Sequence, residues 1–360
     1  MTMQLSLKPM RKNLLVLAAI AACATVLAAV GQASPHASGG DKLQVYFVDV
    51  EGGQSTLFVT PTGQSLLIDT GWPGNNGRDA DRIVAVAKQA GLSKIDYVLL
   101  THYHVDHAGG VPQLLERIPV GTFIDHGPNR EPNDASTETG WEAYQKLLTG
   151  GKYKHLVVKP GDTLPIAGLH AEVVSADGNV IGHPLKGAGA QNLFCAKSEV
   201  RPADRTENAR SLGIMIDFGK LRILDLGDLT WDKERDLMCP VNKLGKVNIL
   251  IVSHHGWNQS SSPALVDAIA PDIAIMDNGA KKGGSTPVLD TIRSAPGLQA
   301  LWQLHFSDEG GQQHNTTEPF IANMPGADSG NYLRLTAFHD GKYLVYNSRT
   351  QADKTYSAGQ

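Results

Sequence analysis

The 360-residue chain has little cysteine, no large excess of charge of one sign, and no periodic glycine or proline. Only three residues are Cys, and none belongs to a C-x-x-C pair, which argues against thiol redox catalysis. The 32 basic and 36 acidic side chains give a formal charge of −4, which leaves no broad attraction to nucleic acid, only a possible local basic patch. The 38 Gly and 19 Pro follow no repeat, which excludes a collagen-like or low-complexity chain. A hydrophobic content of 41% with 19% charged residues indicates an ordinary globular protein.

The longest apolar run covers residues 14–30 and follows three basic side chains at positions 8, 11 and 12. Gly31-Gln32-Ala33 comes next, and this order predicts a secretory signal peptide over residues 1–33. The run is almost long enough to span a bilayer, so an uncleaved anchor is one alternative, and lipid attachment at Cys23 is another. Removal of the signal takes away three basic and no acidic side chains, which changes the net charge from −4 to −7. We expect a bacterial protein that is periplasmic or secreted, with no membrane span after cleavage.

No break in composition marks a second domain after the signal. Residues 34–41 are polar and Gly-rich, which predicts a flexible leader. We expect one domain over residues 42–350 and a tail over residues 351–360. Residues 178–205 form a long irregular insert in this domain, and an insert of that length in a compact enzyme is usually a functional loop.

Two cysteines remain after the signal, Cys195 and Cys239. In an oxidising compartment two cysteines can form a disulfide. The sequence does not tell whether their Cα atoms lie within the ~4.4–6.8 Å that a bridge requires. A disulfide and a pair of buried free thiols are therefore equally open at this point.

The order of predicted elements indicates the fold class. Residues 43–69 contain three short runs rich in β-branched and aromatic residues, which predict an antiparallel meander. Strands then alternate with helical periodicity, and the same pattern returns in the second half of the chain. This order predicts an α/β (α+β) fold, a four-layer αββα sandwich of two mixed β-sheets with helices on the outer faces.

The strongest chemical signal is the sequence THYHVDH at residues 101–107, directly after a predicted apolar strand. Histidine and aspartate are seldom buried without partners, so this cluster is expected to bind or to catalyse. His102 and His104 lie two residues apart and can point towards one ion. Asp106 and His107 follow the bend and can serve a second ion. Imidazole and carboxylate ligands together suit zinc, and also manganese or iron.

The pattern H-x-H-x-D-H after a strand resembles the signature of the metallo-β-lactamase superfamily of metallohydrolases. Residues 65–71 (SLLIDTG) resemble the strand of that family that ends in an Asp beneath the metals. Residues 226–228 (LGD) resemble its G-D turn, in which the Asp bridges two ions. Residues 253–256 (SHHG) and 47–56 (FVDVEGGQST) resemble the extracellular domain of competence DNA-uptake proteins, with Glu-Gly where those proteins have Gly-Gln. The resemblance extends over about residues 43–280.

The resemblance implies a dinuclear metal-dependent hydrolase that attacks its substrate with a metal-bound hydroxide. Two Zn²⁺ ions per chain are expected, with Mn²⁺ or iron as alternatives, and the ions would lower the pKa of a bound water towards ~7. Asp69 would accept the free N–H of a ligand histidine, and Asp106 would both coordinate and orient the nucleophile. The implied ligands are His102, His104, Asp106, His107, Asp228 and either His254 or His255.

One departure from the family concerns the first ion. Family members usually have a third His shortly before the strand that leads into the G-D turn, but residues 207–211 read ENARS. Asn208 can take that place as a neutral oxygen ligand, the first ion can be weakly held or absent, or His183 in the insert can complete the shell. Because an amide oxygen is a poorer ligand for zinc than imidazole, we expect one ion to be held more weakly than the other.

Four further residues are candidates for contact with a substrate. Lys281 and Lys282 lie on a Gly-rich segment that can cradle an anionic group, although a solvated surface loop is the alternative. His305 ends a predicted strand and can reach the metal rim as an acid or hydrogen-bond donor, or can serve packing alone. Trp257 directly follows His254-His255-Gly256 and can line the pocket or merely pack.

These features lead to three hypotheses of function. The first is a secreted metallohydrolase of a phosphodiester or similar anionic substrate, without a stable nucleic-acid complex. The second keeps the hydrolase but changes the small-molecule substrate to a lactam, a lactone or another ester. The third is a non-catalytic metal-binding envelope protein, for which the absent third His is the only support. A fold of this kind does not by itself determine the substrate.

Overall fold

The computed structural model describes residues 41–358. The predicted signal peptide, Cys23 and nearly all of the predicted leader lie outside these residues. A helix long and apolar enough to cross a membrane is not found among the residues that are described.

Strands and helices follow one another in the predicted order. The strands are β1 (Lys42–Phe47), β2 (Thr56–Val59), β3 (Ser65–Ile68), β4 (Ile95–Leu99), β5 (Val120–Asp125), β6 (Lys154–Val157), β7 (His170–Ala176), β8 (Asn179–Val180), β9 (Gly213–Phe218), β10 (Leu221–Asp225), β11 (Ile249–Ile251), β12 (Ile273–Met276), β13 (Ala300–His305), β14 (Ile321–Asn323), β15 (Leu333–Phe338), β16 (Lys342–Asn347) and β17 (Ala352–Ser357). The α-helices are α1 (Arg78–Gln89), α2 (Val105–Ala108), α3 (Val111–Leu115), α4 (Ala135–Thr149), α5 (Trp231–Met238), α6 (Pro263–Ile269), α7 (Thr286–Arg293) and α8 (Gly311–His314). Short 3₁₀ helices cover Asn75–Gly77, Leu193–Lys197, Glu207–Arg210, Ser253–Gly256 and Glu318–Phe320.

Within residues 41–358 the strands form two mixed sheets. The first has the order β17-β16-β15-β1-β2-β3-β4-β5-β6, and its pairs are parallel from β3 to β6 and antiparallel elsewhere. The second has the order β14-β13-β12-β11-β10-β9-β7-β8, parallel from β14 to β10 and antiparallel beyond. The prediction of two mixed sheets is therefore confirmed.

Alternating side chains explain why the sheets pack in four layers. On β1, Val45 and Phe47 enter a central core shared by both sheets, whereas Tyr46 points to the outer face. The outer face of the first sheet packs against apolar residues of α1, α3 and α4. The outer face of the second sheet packs against α5, α6 and α7. The predicted αββα arrangement thus results from burial of both faces of each sheet.

The predicted tail contains a strand instead. Residues 352–357 form β17, which pairs antiparallel with β16 at the edge of the first sheet. Most side chains of β17 are exposed, so its sequence has no apolar pattern that would predict a strand. Tyr356 is buried, and its hydroxyl oxygen accepts a hydrogen bond from Trp302. The ordered domain therefore extends past residue 350.

The insert over residues 178–205 is largely irregular, as expected, but it is anchored. Cys195 and Cys239 form a disulfide, with their Cα atoms 5.9 Å apart. This bond joins the insert to the end of α5, so the alternative of two free thiols is wrong. Arg201 of the insert also stacks over the ring of Trp231, 3.4 Å from its centroid.

Candidate metal centre

The candidate ligands follow the carboxyl ends of neighbouring parallel strands in both sheets. Asp69 follows β3 and residues 101–107 follow β4, while Asp228 follows β10 and the turn over 253–256 follows β11. Gly227 allows the two sheets to meet here, because a Cβ at this position would lie 2.8 Å from Cβ of Thr101. Its φ of +54° also lies in the left-handed region that favours glycine.

Four buried side chains form one compact cluster, and their ligand atoms all lie within 4.8 Å of one another: Asp106, His107, Asp228 and His255. Nε2 of His107 lies 3.2 Å from both Nε2 of His255 and Oδ2 of Asp228. Among residues 41–358, Oδ1 of Asp228 has no hydrogen-bond partner although it is buried. Two imidazoles facing each other between two carboxylates are the donor set that a divalent metal ion would satisfy.

A second group of candidate ligands also lies against Oδ2 of Asp228. Nε2 of His102 lies 3.0 Å from Nδ1 of His104 and 3.8 Å from Oδ2 of Asp228. Nε2 of His254 lies 3.4 Å from the same Oδ2, and Nδ2 of Asn208 lies 3.4 Å from that ring nitrogen. The structure thus brings both histidines of the 253–256 turn to Asp228, together with Asn208.

Hydrogen bonds to the second ring nitrogen hold several of these imidazoles in place. Oδ2 of Asp69 lies 2.7 Å from Nδ1 of His107, and the same carboxylate accepts hydrogen bonds from the backbone N–H and the hydroxyl of Thr101. Nε2 of His104 lies 3.4 Å from Oε2 of Glu131. A carboxylate on the far nitrogen fixes the tautomer and the orientation of a ligand histidine. Asp69 therefore lies where the family resemblance implies.

Burial and neighbouring charges set the protonation of the histidines. Burial lowers the pKa of His102 well below its usual range and lowers the pKa of His254 to about 4, so both rings are neutral at pH 7. Burial is the largest single influence on the pKa of His255 and acts to lower it, but the carboxylates of Asp228, Asp277 and Asp106 together outweigh burial and raise that pKa to about 9. The pKa of His107 is raised well above its usual range for the same reason. Protons and a metal ion therefore compete for the nitrogens beside Asp228.

An open cavity of about 350 Å³ lies over these groups. Lys282 lines it, forms an ion pair with Oδ2 of Asp106 and lies 4.8 Å above the ring of Trp72. Trp257 also lines the cavity and is 41% exposed, so a bound molecule can contact its ring. Lys281 is exposed and is not among the residues that line this cavity. Of the two lysines that were expected to contact a substrate, Lys282 lines the cavity and Lys281 does not.

His305 lies away from the metal rim, in contrast to the expectation. Its Nε2 lies 2.7 Å from Oδ1 of Asp49, beside a separate cavity of about 120 Å³ that Glu51 and Asp328 also line. The segments 51–53 and 279–282 pack against each other between the two cavities, since a Cβ at Gly52 would lie 2.9 Å from Cβ of Lys282. His305 is therefore not among the residues that line the metal cavity, and it belongs to a separate cluster with Asp49 and Glu51. His183 is exposed in the insert and does not line the metal cavity.

Sequence reasoning missed three residues of this site. Trp72 follows the motif that ends in Asp69 and Gly71, so its position was a usable signal. Glu131 and Ser260 lie in loops whose sequences show no pattern, yet Glu131 approaches His104 and Ser260 lies 3.2 Å from Nδ1 of His254. Such contacts depend on how distant loops fold together and have no local signature.

The two-sheet αββα sandwich thus places a cluster of histidines and aspartates that could hold a metal ion at its strand ends. Residues 49–196 match the family model described as the metallo-beta-lactamase superfamily. The chain carries a metallo-β-lactamase superfamily domain.

Similar proteins fall into two groups. Recombination protein 2 of Haemophilus influenzae is 28% identical over 66% of this chain and 24% of its own length, and ComE operon protein 3 of Bacillus subtilis is 23% identical over 66% and 28%. A hydroxyacylglutathione hydrolase of Stenotrophomonas maltophilia is 31% identical over 38% of this chain and 48% of its own length. Among solved structures, the metallo-beta-lactamase fold protein YhfI from Bacillus subtilis is 12% identical over 82% of this chain and all of that chain, with a TM-score of 0.46. The chain thus spans about a quarter of the length of the first two relatives and about half of the length of the hydrolase.

Proposed function

We propose that this protein is a hydrolase with two divalent metal ions that cleaves a phosphodiester or a similar anionic substrate. One observation carries the proposal: the carboxylate of Asp228 contacts imidazoles of both groups, with Oδ2 3.2 Å from Nε2 of His107 and 3.4 Å from Nε2 of His254. A single carboxylate between two sets of imidazoles can hold two ions side by side. Zinc fits this nitrogen-rich donor set, with Mn²⁺ or iron as alternatives.

The residues of the chain prepare the reaction in separate ways. A bound divalent ion supplies Lewis acidity and a nucleophile that exists at neutral pH. Asp69 keeps His107 oriented, and burial of the ligands at strand ends limits their motion. Lys282 places a positive charge at the cavity beside Asp106, where it can attract an anionic group and stabilise negative charge that develops there.

Two properties of the cavity support an anionic substrate. Lys282 is its cationic side chain, and the aromatic rings of Trp72 and Trp257 line the same opening. Aromatic faces beside a positive charge suit a phosphodiester that carries a flat ring. The similarity over two thirds of the chain to a protein named Recombination protein 2 supports a substrate that contains phosphodiester bonds. The 31% identity to a hydroxyacylglutathione hydrolase favours an acyl substrate, such as an ester, a lactone or a lactam, as the second candidate.

A panel of substrates tests the proposal. Metal-loaded wild-type protein and its Asp228→Asn variant are assayed with bis(p-nitrophenyl) phosphate, a chromogenic lactam, a lactone and S-lactoylglutathione. We expect turnover of the phosphodiester that disappears in the variant. Turnover of only the acyl compounds would move the protein to the second candidate. A protein that holds metal but cleaves none of the four would be a binding protein.

We also propose export to the periplasm or the outside of a bacterial cell. The order of basic, apolar and small residues over 1–33 supports export, and so does the disulfide between Cys195 and Cys239, a bond rare in reducing compartments. Mass spectrometry of the native protein should find an N-terminus close to Ser34. A lipid on Cys23 or an intact apolar segment would place the protein at a membrane instead.

A further inference from the structure

The turn over Ser253–Gly256 has an uncommon backbone. His254 has φ +55° and His255 has φ +53°, so two successive non-glycine residues occupy the left-handed region. Both are buried, so solvent does not dictate this conformation. Strained backbone that persists at a buried site points to a functional demand on the side chains.

This backbone brings the two imidazoles to different neighbours. The ring planes of His254 and His255 are inclined by 75°, and their centroids lie 6.2 Å apart. Nε2 of His255 lies 3.2 Å from both Oδ2 of Asp106 and Nε2 of His107, and 3.6 Å from Oδ1 of Asp228. Nε2 of His254 lies 3.4 Å from Oδ2 of Asp228, the oxygen that His102 approaches to 3.8 Å and His107 to 3.2 Å. His255 therefore lies beside Asp106 and His107, whereas His254 shares a carboxylate oxygen with His102.

A serine hydroxyl lies at the ring nitrogen of His254 that faces away from the site. The oxygen of Ser260 lies 3.2 Å from Nδ1 of His254, and Nε2 is the nitrogen that faces Asp228. A proton on Nδ1, donated to the hydroxyl oxygen of Ser260, leaves the lone pair of Nε2 free, which is the tautomer a metal ligand needs.

We propose that His254 is the third imidazole of the ion held by His102 and His104, while His255 serves the other ion. This proposal rests on the two-ion function proposed above and concerns which residues hold the first ion. His254 takes the third ligand position of the first ion, for which residues 207–211 contain no histidine. Asn208 is then not a ligand of that ion. Nδ2 of Asn208 lies 3.4 Å from Nε2 of His254, so Asn208 borders the site beside the ligand.

One consequence distinguishes this arrangement from a site completed by Asn208. Three imidazoles with a shared carboxylate form a full tetrahedral shell for zinc, so the first ion is held tightly. The asymmetry expected from an amide ligand then disappears. Both ions also depend on one four-residue turn, because adjacent residues of that turn supply a ligand to each.

Metal titration of the metal-free protein tests the assignment. Zinc is titrated against a chromophoric chelator for wild type and for His254→Ala, His255→Ala and Asn208→Ala, with the exposed His183→Ala as matched control. We expect two tight ions in wild type and His183→Ala, and one in each of the two other histidine variants. Asn208→Ala should keep both ions, with affinity lowered by about tenfold or less, as for a residue outside the ligand shell. Retention of two tight ions in His254→Ala, or loss of one in Asn208→Ala, overturns the proposal.

Double variants show which ion each histidine serves. His102→Ala with His254→Ala should still bind one ion, because both changes affect the same site. His254→Ala with His255→Ala should bind none tightly. The opposite pattern would assign His254 to the ion of His107.

A measurement on wild-type protein covers the case in which an alanine variant does not fold. In protein loaded with Co²⁺, the Nδ1 proton of His254 should show a large hyperfine shift in the proton NMR spectrum. A His254 proton at its ordinary position overturns the proposal. Neither readout depends on turnover, so a protein that binds two ions but cleaves no phosphodiester rejects the proposed function and leaves this assignment standing.

Discussion

At the scale of single residues, Asp228 contacts candidate ligands of both proposed ions. His107, His254 and His255 all lie within 3.6 Å of its carboxylate. Asp228→Ala should therefore remove most bound metal and essentially all activity, because both ions lose a ligand and the shared negative charge. Elemental analysis and turnover measure this, with the exposed Asp340→Ala as control. Two ions per chain in the Asp228 variant would show that the carboxylate is no ligand.

The second prediction at this scale concerns Lys282. Lys282→Met keeps a side chain of similar length over Trp72 but removes the charge beside Asp106. We expect KM for bis(p-nitrophenyl) phosphate to rise about tenfold, or ~1.4 kcal/mol, since the anion loses its positive partner. KM for a neutral ester should change little. Lys281→Met is the matched control, and an equal effect there would mean that the general surface charge, and not Lys282, attracts the substrate.

The residues of the site differ in how far the sequence could predict them. His102, His104, Asp106 and His107 lie within six residues, so local spacing alone placed them together. The sequence predicted one ligand from His254 and His255 but not that both approach Asp228, because their positions depend on two successive left-handed φ angles. The sequence suggested Asn208 only because it stands where the family has a histidine in chain order.

At the scale of elements, the insert and α5 are joined by the disulfide between Cys195 and Cys239, 44 residues apart. Replacement of both cysteines by serine frees this loop in the unfolded chain, and the chain-entropy estimate for such a loop is about 4 kcal/mol of lost stability. Urea denaturation measures the loss, and reduced wild-type protein should match the variant. The insert also carries Arg201, which packs on Trp231 and donates a hydrogen bond to the backbone carbonyl of Asn258 beside the cavity. Because loss of the disulfide frees the insert, KM for the substrate should also rise in the double cysteine variant. A change in stability below ~1 kcal/mol would show that packing alone holds the insert.

A buried glutamate of helix α5, Glu234, should make the free energy of unfolding depend on pH. Glu234 is fully buried and accepts hydrogen bonds from the backbone N–H groups of Ser261 and Ser262, just before α6. Burial raises the pKa of Glu234 to about 7, above its value in an unfolded chain. Between the unfolded and the folded pKa, the folded state holds a proton on Glu234 that the unfolded state has lost. The stability that this proton contributes is therefore complete below the unfolded pKa and is lost as the pH rises through about 7. The loss is on the order of 3 kcal/mol.

The test compares wild type with Glu234→Gln, which does not titrate. We expect the difference in their free energies of unfolding to shrink by a few kcal/mol between pH 5 and pH 8, because only the wild type loses stability through this group. Urea denaturation at several pH values gives the difference, and the exposed Glu138→Gln is the control. A difference that stays constant over this range would contradict the raised pKa.

At the scale of the whole molecule, the layers were predictable and one edge was not. Runs of alternating and continuous apolar residues defined the two sheets, since each sheet buries both faces. The sequence did not predict the final strand β17, because this edge strand exposes most of its side chains to water and buries only Tyr356. The pairing of β15 with β1 joins residues almost 300 positions apart, which no local pattern can reveal.

The position of the metal centre between the sheets leads to a last prediction. Four candidate ligands follow β4 of the first sheet, whereas Asp228, His254 and His255 follow β10 and β11 of the second. Ions bound there join the two halves of the sandwich, and at 1,000 times its dissociation constant each ion adds about 4 kcal/mol to the stability of the folded state. Removal of metal with a chelator should therefore lower the midpoint of thermal unfolding by several degrees, and hydrogen exchange should speed up at the ends of β4, β10 and β11 together. Asp228→Asn, which lacks the shared ligand, should respond far less to the chelator than wild type. An unfolding midpoint that is the same with and without chelator would show that the ions are not bound between the sheets.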